Sequence, residues 1–324
     1  MKNCLHELVS TRDGMSKPTL FITNDDGIEA PGIQHLIREL NSHGFPLFVL
    51  APSTEQSATG MRISVRKKMN VYKRQDIAEK LQINTQIPLK MYSLDGSPCD
   101  CVIVALDGGI NALEPEMRPL MCISGVNHGP NLSVDVMHSG TVSAARESAL
   151  YGMPSVAISL ATYEHSNFDY SVKGAIQVID SCIGFLPKEL PNVLRKKGSS
   201  FSPEISPSGD SIRDHFAHGN IFLNLNAPLE WNGSFNTVSL GSRWYRNAIK
   251  THYDDEDGMA FELGAAEIVE EEITDTDCFA INLGEYAISP LSSWPVNHPL
   301  GMTKSMMDAA SISASNGLPF WFNL

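Results

Sequence analysis

Two adjacent carboxylates, Asp25 and Asp26, stand between Asn24 and Gly27, directly after the short apolar run Leu20-Phe21-Ile22. Neighbouring carboxylates repel each other, and a folded chain tolerates them best when a cation sits between them. Two readings of the pair are open at this point. One is a site for a divalent metal with hard oxygen ligands. The other is a solvated turn in which Asn and Asp serve turn chemistry. The surroundings bear on the choice: the apolar run has the length of a buried strand, and Pro31 opens a segment of helical periodicity. In an α/β sheet the end of a strand before a helix is where ligands bind.

The elements that must carry such a site follow from periodicity. Ile33, Leu36, Ile37 and Leu40 fall at i, i+3, i+4 and i+7 within Pro31 to His43, and Gly44 suits a helix C-terminus. Pro46 to Ala51 is a second buried strand. Strand, helix, strand in so short a span is a βαβ unit with parallel strands and a right-handed crossover. The polar stretch Pro52 to Gly60 then leaves a strand end on the same edge as the acid pair. Met61 to Leu94, more basic and less regular, reads as an antiparallel excursion. Ser97 caps a helix with Pro98 at its first position and Val102, Ala105 and Leu106 inward. Leu120 to Ser124 is a third buried strand, running into a turn-rich loop from Gly125 to Asn131. Ser139-Gly140-Thr141 opens another helix, Ser155 to Leu160 is a strand, and Tyr170 to Phe185 a helix.

The expected class is therefore α/β, a Rossmann-like, mostly parallel sheet flanked by helices, with a less regular, β-rich C-terminal extension. Residues 1–18 read as a flexible leader, 19–186 as the core and 187–324 as hairpins and arms. Pro187 to Gly219 reads as an exposed insertion or linker, and Ile221–Leu225, Thr237–Leu240 and Tyr286–Ile288 as strands.

The 324 residues carry a formal net charge of −13. A chain this acidic is ill suited to duplex nucleic acid, whose phosphates need a basic surface. Much of the acid lies between Asp254 and Glu272, as a solvated face. No apolar run has the length of a membrane span, and the first residues have no signal-like apolar core, so a cytoplasmic protein without a membrane partner is expected. The six cysteines lack paired C-x-x-C spacing, which argues for reduced, buried thiols rather than structural zinc. Dinucleotide, P-loop and G-x-S-x-G signatures are missing. A haloacid-dehalogenase mechanism fails as well, because Asn24 stands where the nucleophilic Asp would be.

Several stretches together resemble the SurE family, the survival-protein 5′/3′-nucleotidases. They are Thr23-Asn-Asp-Asp-Gly-Ile-Glu-Ala-Pro-Gly-Ile33, Ala51-Pro-Ser-Thr-Glu-Gln-Ser57, Gly96-Ser-Pro-Cys-Asp-Cys-Val102 and Ser124-Gly-Val-Asn-His-Gly-Pro-Asn131. Ser139-Gly-Thr-Val-Ser-Ala-Ala145 and, more weakly, Ala287-Ile-Ser-Pro-Leu291 add to them. The resemblance implies one divalent cation per subunit, Mg²⁺ or Mn²⁺, held by Asp25, Asp26, Ser57 and Asn127, an all-oxygen set. It implies hydrolysis of nucleoside 5′- or 3′-monophosphates, with short polyphosphate as a further substrate, and Asp25 or Asp26 orienting or deprotonating the attacking water. Ser139, Gly140 and Thr141 would hold the phosphate at a helix N-terminus, with Asn131 a further contact. His128 and His138 are the nearby groups that could titrate. Ala58 stands where the family usually has Gly, and His138 where Tyr is common. Self-association into dimers or tetramers through the C-terminal arms is also implied. The alternative function is a nucleotide-binding regulatory module with little turnover.

Overall fold

The computed structural model of the protein describes residues 17–83, 86–188, 207–254, 258–264 and 267–322. Most of the expected leader, residues 1–16, lies outside the described residues, as do 189–206 of the expected insertion and 255–257 and 265–266 of the acidic stretch.

Apolar runs without polar alternation dictate strands covered on both faces. In β1 (Thr19–Thr23), Leu20 and Ile22 point into one core and Phe21 into another. β2 (Leu47–Pro52) repeats the division, with Leu47, Val49 and Ala51 on one side and Phe48 and Leu50 on the other. The helices Pro31–Ser42 and Asp169–Phe185 cover the first face. The helices Pro98–Val104 and Gly140–Leu150 cover the second. Ile33, Leu36, Ile37 and Leu40 are all buried, as their spacing requires, and Gly44 takes φ +88° after the helix.

The further strands are β3 (Val71–Lys73), β4 (Leu89–Leu94), β5 (Pro119–His128), β6 (Ser155–Leu160), β7 (Ile221–Ala227) and β8 (Phe235–Thr237). β9 (Arg243–Arg246), β10 (Ile249–Asp254), β11 (Gly258–Leu263), β12 (Glu267–Glu270) and β13 (Tyr286–Ser292) follow. Nine of them form one sheet in the order β3-β4-β2-β1-β5-β6-β7-β13-β8. From β4 to β7 every neighbouring pair is parallel, while β3 runs antiparallel to β4 on one side and β13 antiparallel to β7 on the other, with β8 parallel to β13 at the edge. The chain builds outward from β1 in one direction through β2 and β4, and from β5 in the other through β6 and β7. The order therefore reverses between β1 and β5, and the crevice above such a switch point is where an α/β sheet binds its ligand.

Three expectations need correction. Leu89–Leu94 is no part of an antiparallel excursion: it pairs in parallel with β2, and only β3 turns back. Lys90 disguises it by interrupting residues that are otherwise buried. The strand after Leu120 does not stop at Ser124. After a register shift, Asn127 pairs with Ser159 and His128 with Leu160, so β5 carries the chain to His128. Within Pro187–Gly219, residues Gly209–Ala217 form a helix capped by Ser208, with Ile212 and Phe216 fully buried. Beyond it, β7, β13 and β8 extend the same sheet, whereas β9 pairs with β12 and β10 with β11 as separate two-stranded ribbons. The five described cysteines are free and buried.

Candidate active site

Asp25 leaves β1 almost fully buried, at 2% exposure. Its carboxylate accepts hydrogen bonds from the Thr141 hydroxyl and from the backbone N–H groups of Gly140 and Thr141. The helix Gly140–Leu150 thus begins directly against the acid. A Cβ on Gly140 would lie 2.7 Å from the Asp25 Cβ, so only glycine permits this approach. Asp26, half-buried beside it, accepts the His128 N–H at 3.1 Å. Burial raises the pKa of Asp25, and its hydrogen bonds from Thr141 and Gly140 oppose the rise. Burial pushes Asp26 up to about 7, the Asp25 charge adding to it and the His128 N–H opposing it.

The loop after β2 is tied to this centre. Gln56 N–H donates to the Asp25 carbonyl at 2.7 Å, and Gly60 N–H to the His138 carbonyl at 2.9 Å. Ser57 donates its hydroxyl proton to Glu55 at 2.9 Å, which leaves its oxygen lone pairs open. Ala58, next to it, sits at φ +55°, in the left-handed region that favours glycine. Asn127 spends its amide N–H on the Gly129 carbonyl at 2.8 Å, leaving Oδ1 as a free acceptor.

A cleft of about 390 Å³ gathers Asp25, Ser57, Asn127, Asn131 and Ser139, together with His128 and His138. Asp26 borders this group through its hydrogen bond to His128, while Gly140 and Thr141 lie behind Asp25. The hydroxyls of Ser139 and Thr141 are both engaged: Ser139 accepts the Val142 N–H at 3.0 Å as the helix cap, and Thr141 donates to Asp25. The Asn131 amide donates to Ser159 at 2.7 Å, and its backbone is clamped by two buried asparagines. Asn226 accepts from its N–H at 2.9 Å, and Asn224 and Asn226 donate to its carbonyl at 2.8 and 3.0 Å.

Sequence reading missed Asn224 and Asn226, although two amides at i and i+2 on one face of an apolar strand were a visible anomaly. It also missed the far wall, where Asp135, Tyr163 and Tyr245 line the cleft. Arg243, only 7% exposed, pairs with Asp135 at 3.0 Å and with Glu270. Among the described residues that line the cleft there is no Lys or Arg. Nor do three His, Cys, Asp or Glu side chains gather as a metal cluster among the described residues. Any cation here would be completed by neutral oxygens. The open Asn127 Oδ1 and Ser57 oxygen beside two carboxylates make such a set, and its hardness fits Mg²⁺ or Mn²⁺ better than zinc.

Comparison with known proteins identifies the family. Residues 20–250 match the family described as Survival protein SurE. The chain is 32% identical to the 5′-nucleotidase SurE of Desulfitobacterium hafniense (strain DSM 10664 / DCB-2) over 278 residues, 85% of this chain and 90% of that protein. It is 32% identical to the 5′-nucleotidase SurE of Carboxydothermus hydrogenoformans over 301 residues, 92% of this chain and 99% of that one. The crystal structure of the SurE protein from Aquifex aeolicus superposes with a TM-score of 0.61 at 25% identity, over 86% of this chain and 95% of that one. A family match across most of the sheet, relatives at this identity over most of both chains, and a shared fold lead to one conclusion: the chain belongs to the SurE family.

Proposed function

We propose that the protein is a metal-dependent phosphomonoester hydrolase acting on nucleoside 5′- and 3′-monophosphates, with short polyphosphate as a further substrate. The observation that carries the reading is one of charge. Two adjacent carboxylates are withdrawn from water in a cleft whose described lining offers no cationic side chain. Left alone, that cleft repels a phosphate dianion. Asp25, Asp26, the Asn127 Oδ1 and the Ser57 oxygen would hold one Mg²⁺ or Mn²⁺ per subunit. Such an ion supplies charge screening for the phosphate and acidifies water.

The chain's own groups do the rest. Thr141 fixes the orientation of Asp25. Asp26, tethered through one oxygen to the His128 N–H, keeps the other for orienting the attacking water and taking its proton. The first N–H groups of the helix Gly140–Leu150 are spent on Asp25 and on Ser139, so Ser139, Gly140 and Thr141 serve the phosphate by fixing the acid beside it, while Asn131 lies within the same cleft. His138, exposed in the cleft lining beside Ser139, is suited to protonate the leaving oxygen. His128 is less free, its Nε2 being bonded to the His165 carbonyl at 3.0 Å.

The test is phosphate release from AMP, GMP and p-nitrophenyl phosphate with and without Mn²⁺. Release that needs the cation is expected. Binding without release would convert the reading to a regulatory nucleotide-binding module, and undiminished release after chelation would remove the metal from it.

We propose also that the β10–β11 ribbon mediates self-association as a dimer or tetramer. It exposes Tyr253, Phe261 and Leu263 at 79%, 61% and 82%, more apolar surface than an isolated arm leaves in water. Light scattering at micromolar concentration should give at least a dimer, and a clean monomer would sink this assignment. Among the described residues no helix is long and apolar enough to cross a membrane. The free, buried thiols suit the reducing conditions of a cytoplasmic protein.

A further inference from the structure

The cleft reaches beyond what phosphate hydrolysis requires. At about 390 Å³ it has the size of sites that enclose a whole organic ligand, roughly 300–1,000 Å³. Much of its lining is carboxylate, amide and hydroxyl, from Asp25, Asp135, Asn127, Asn131, Ser57 and Ser139. Its wall also carries Tyr163, from the loop after β6, and Tyr245, from strand β9, which remain 63% and 41% exposed. Neither ring is held there by the hydrophobic core. The Tyr163 ring lies flush on the Gly129 backbone, where an added Cβ would come within 2.2 Å of it, so glycine keeps this wall close to Asn127. Tyr245 donates its hydroxyl to Asp135 at 2.6 Å, and Arg243 holds the other Asp135 oxygen at 3.0 Å. The hydroxyl end of Tyr245 is thereby fixed while its ring is left exposed.

We infer that Tyr163 and Tyr245 form the subsite for the leaving group, taking a planar heteroaromatic base on their ring faces while the phosphate sits at Asp25. This rests on the nucleotidase reading and deepens it. The acid pair would treat every phosphomonoester alike, and the tyrosines would favour nucleotides over sugar phosphates. Stacking is open to any base because each has a π face, so purine and pyrimidine nucleotides should differ little.

The experiment compares kcat/KM for AMP with that for ribose 5-phosphate, which keeps the phosphate and sugar and lacks the base. The wild type should prefer AMP. Losing one stacking ring should cost about 5- to 150-fold. Tyr163→Ala should therefore lower the AMP to ribose 5-phosphate preference by about tenfold, chiefly through KM, and Tyr163→Phe should restore it. Tyr245→Phe should lower it by less than Tyr163→Ala, since the ring stays but loses the Asp135 contact that fixes it. An unchanged preference in Tyr163→Ala, with AMP turnover intact, overturns the base subsite and leaves the nucleotidase reading standing. So does a collapse of the preference in Tyr170→Ala instead, which would place the base in the neighbouring cleft between Tyr170 and Trp231. A wild type that hydrolyses neither substrate overturns both readings together.

Discussion

Replacing Asp26 by Asn keeps the shape of the side chain and removes one charge from a pair that the fold forces together. The folded-state pKa of Asp26 is raised from 3.8 to about 7, by burial first and by the Asp25 charge second. A carboxyl raised in this way weighs against folding when ionised. The penalty is absent below about pH 4, grows as pH rises towards 7, and is complete above it. Three pKa units correspond to about 4 kcal/mol. Asp26 is only half-buried, and discounting for solvent screening leaves about 2 kcal/mol. In chelator at pH 8, Asp26→Asn should therefore unfold about 3 °C above the wild type, with no difference at pH 4. Metal dependence should move the other way. Loss of a direct ligand should weaken Mn²⁺ affinity by more than the roughly 10–100-fold that follows loss of a supporting contact. Phosphatase activity should fall with it and recover only in part at high Mn²⁺. Differential scanning fluorimetry at the two pH values, alongside a Mn²⁺ titration of phosphate release, checks both arms. Full activity of Asp26→Asn in chelator-treated buffer, or equal stability of the two proteins at pH 8, would refute the reasoning.

Three further outcomes follow from particular contacts. Asn226→Ala deprives the buried Asn131 N–H of its acceptor and removes a donor from its carbonyl, and should cost about 2–3 kcal/mol in urea unfolding while lowering kcat. Arg243→Met leaves Asp135 buried with only Tyr245 and the Leu132 N–H as partners. It should cost about 3 kcal/mol, with partial recovery in the double variant Asp135→Asn/Arg243→Met. Ala58→Gly relieves a left-handed alanine at φ +55°, a strain of about 1–2 kcal/mol, against about 0.5–1 kcal/mol of extra chain entropy. A rise in melting temperature of about 1–2 °C is expected, and a fall would show that the loop gains nothing from the change.

Much of this arrangement is legible from residues alone, for definable reasons. Leu20–Ile22 and Leu47–Ala51 read as strands because burial on both faces leaves no room for polar alternation, and the helix Pro31–Ser42 because one of its faces is buried. The motif residues could be placed on one edge because each follows a strand or precedes a helix. β4 was harder, since Lys90 reaches out to Glu114 at 3.0 Å and breaks the apolar run. The helix Gly209–Ala217 hid in Pro- and Ser-rich surroundings, and what defines it is tertiary: Ile212 and Phe216 packing in the main core. The tyrosine wall was invisible for another reason. Tyr163 in its loop has no periodicity, Tyr245 stands in the short, mostly exposed strand β9, and only the fold brings the two to one cleft.

The place of β5 next to β1 also sets a timetable. Asp26 and its His128 donor are 102 residues apart, and Asp25 and Thr141 are 116. At about 5–20 residues per second, Thr141 is made roughly 6 to 23 s after Asp25. In that interval β1 can already pair with β2, but the crevice has only one wall, and both carboxylates still face water. Their mutual repulsion is therefore deferred during biosynthesis: it enters only when β5 and the following helix close over a sheet that has begun to form without them.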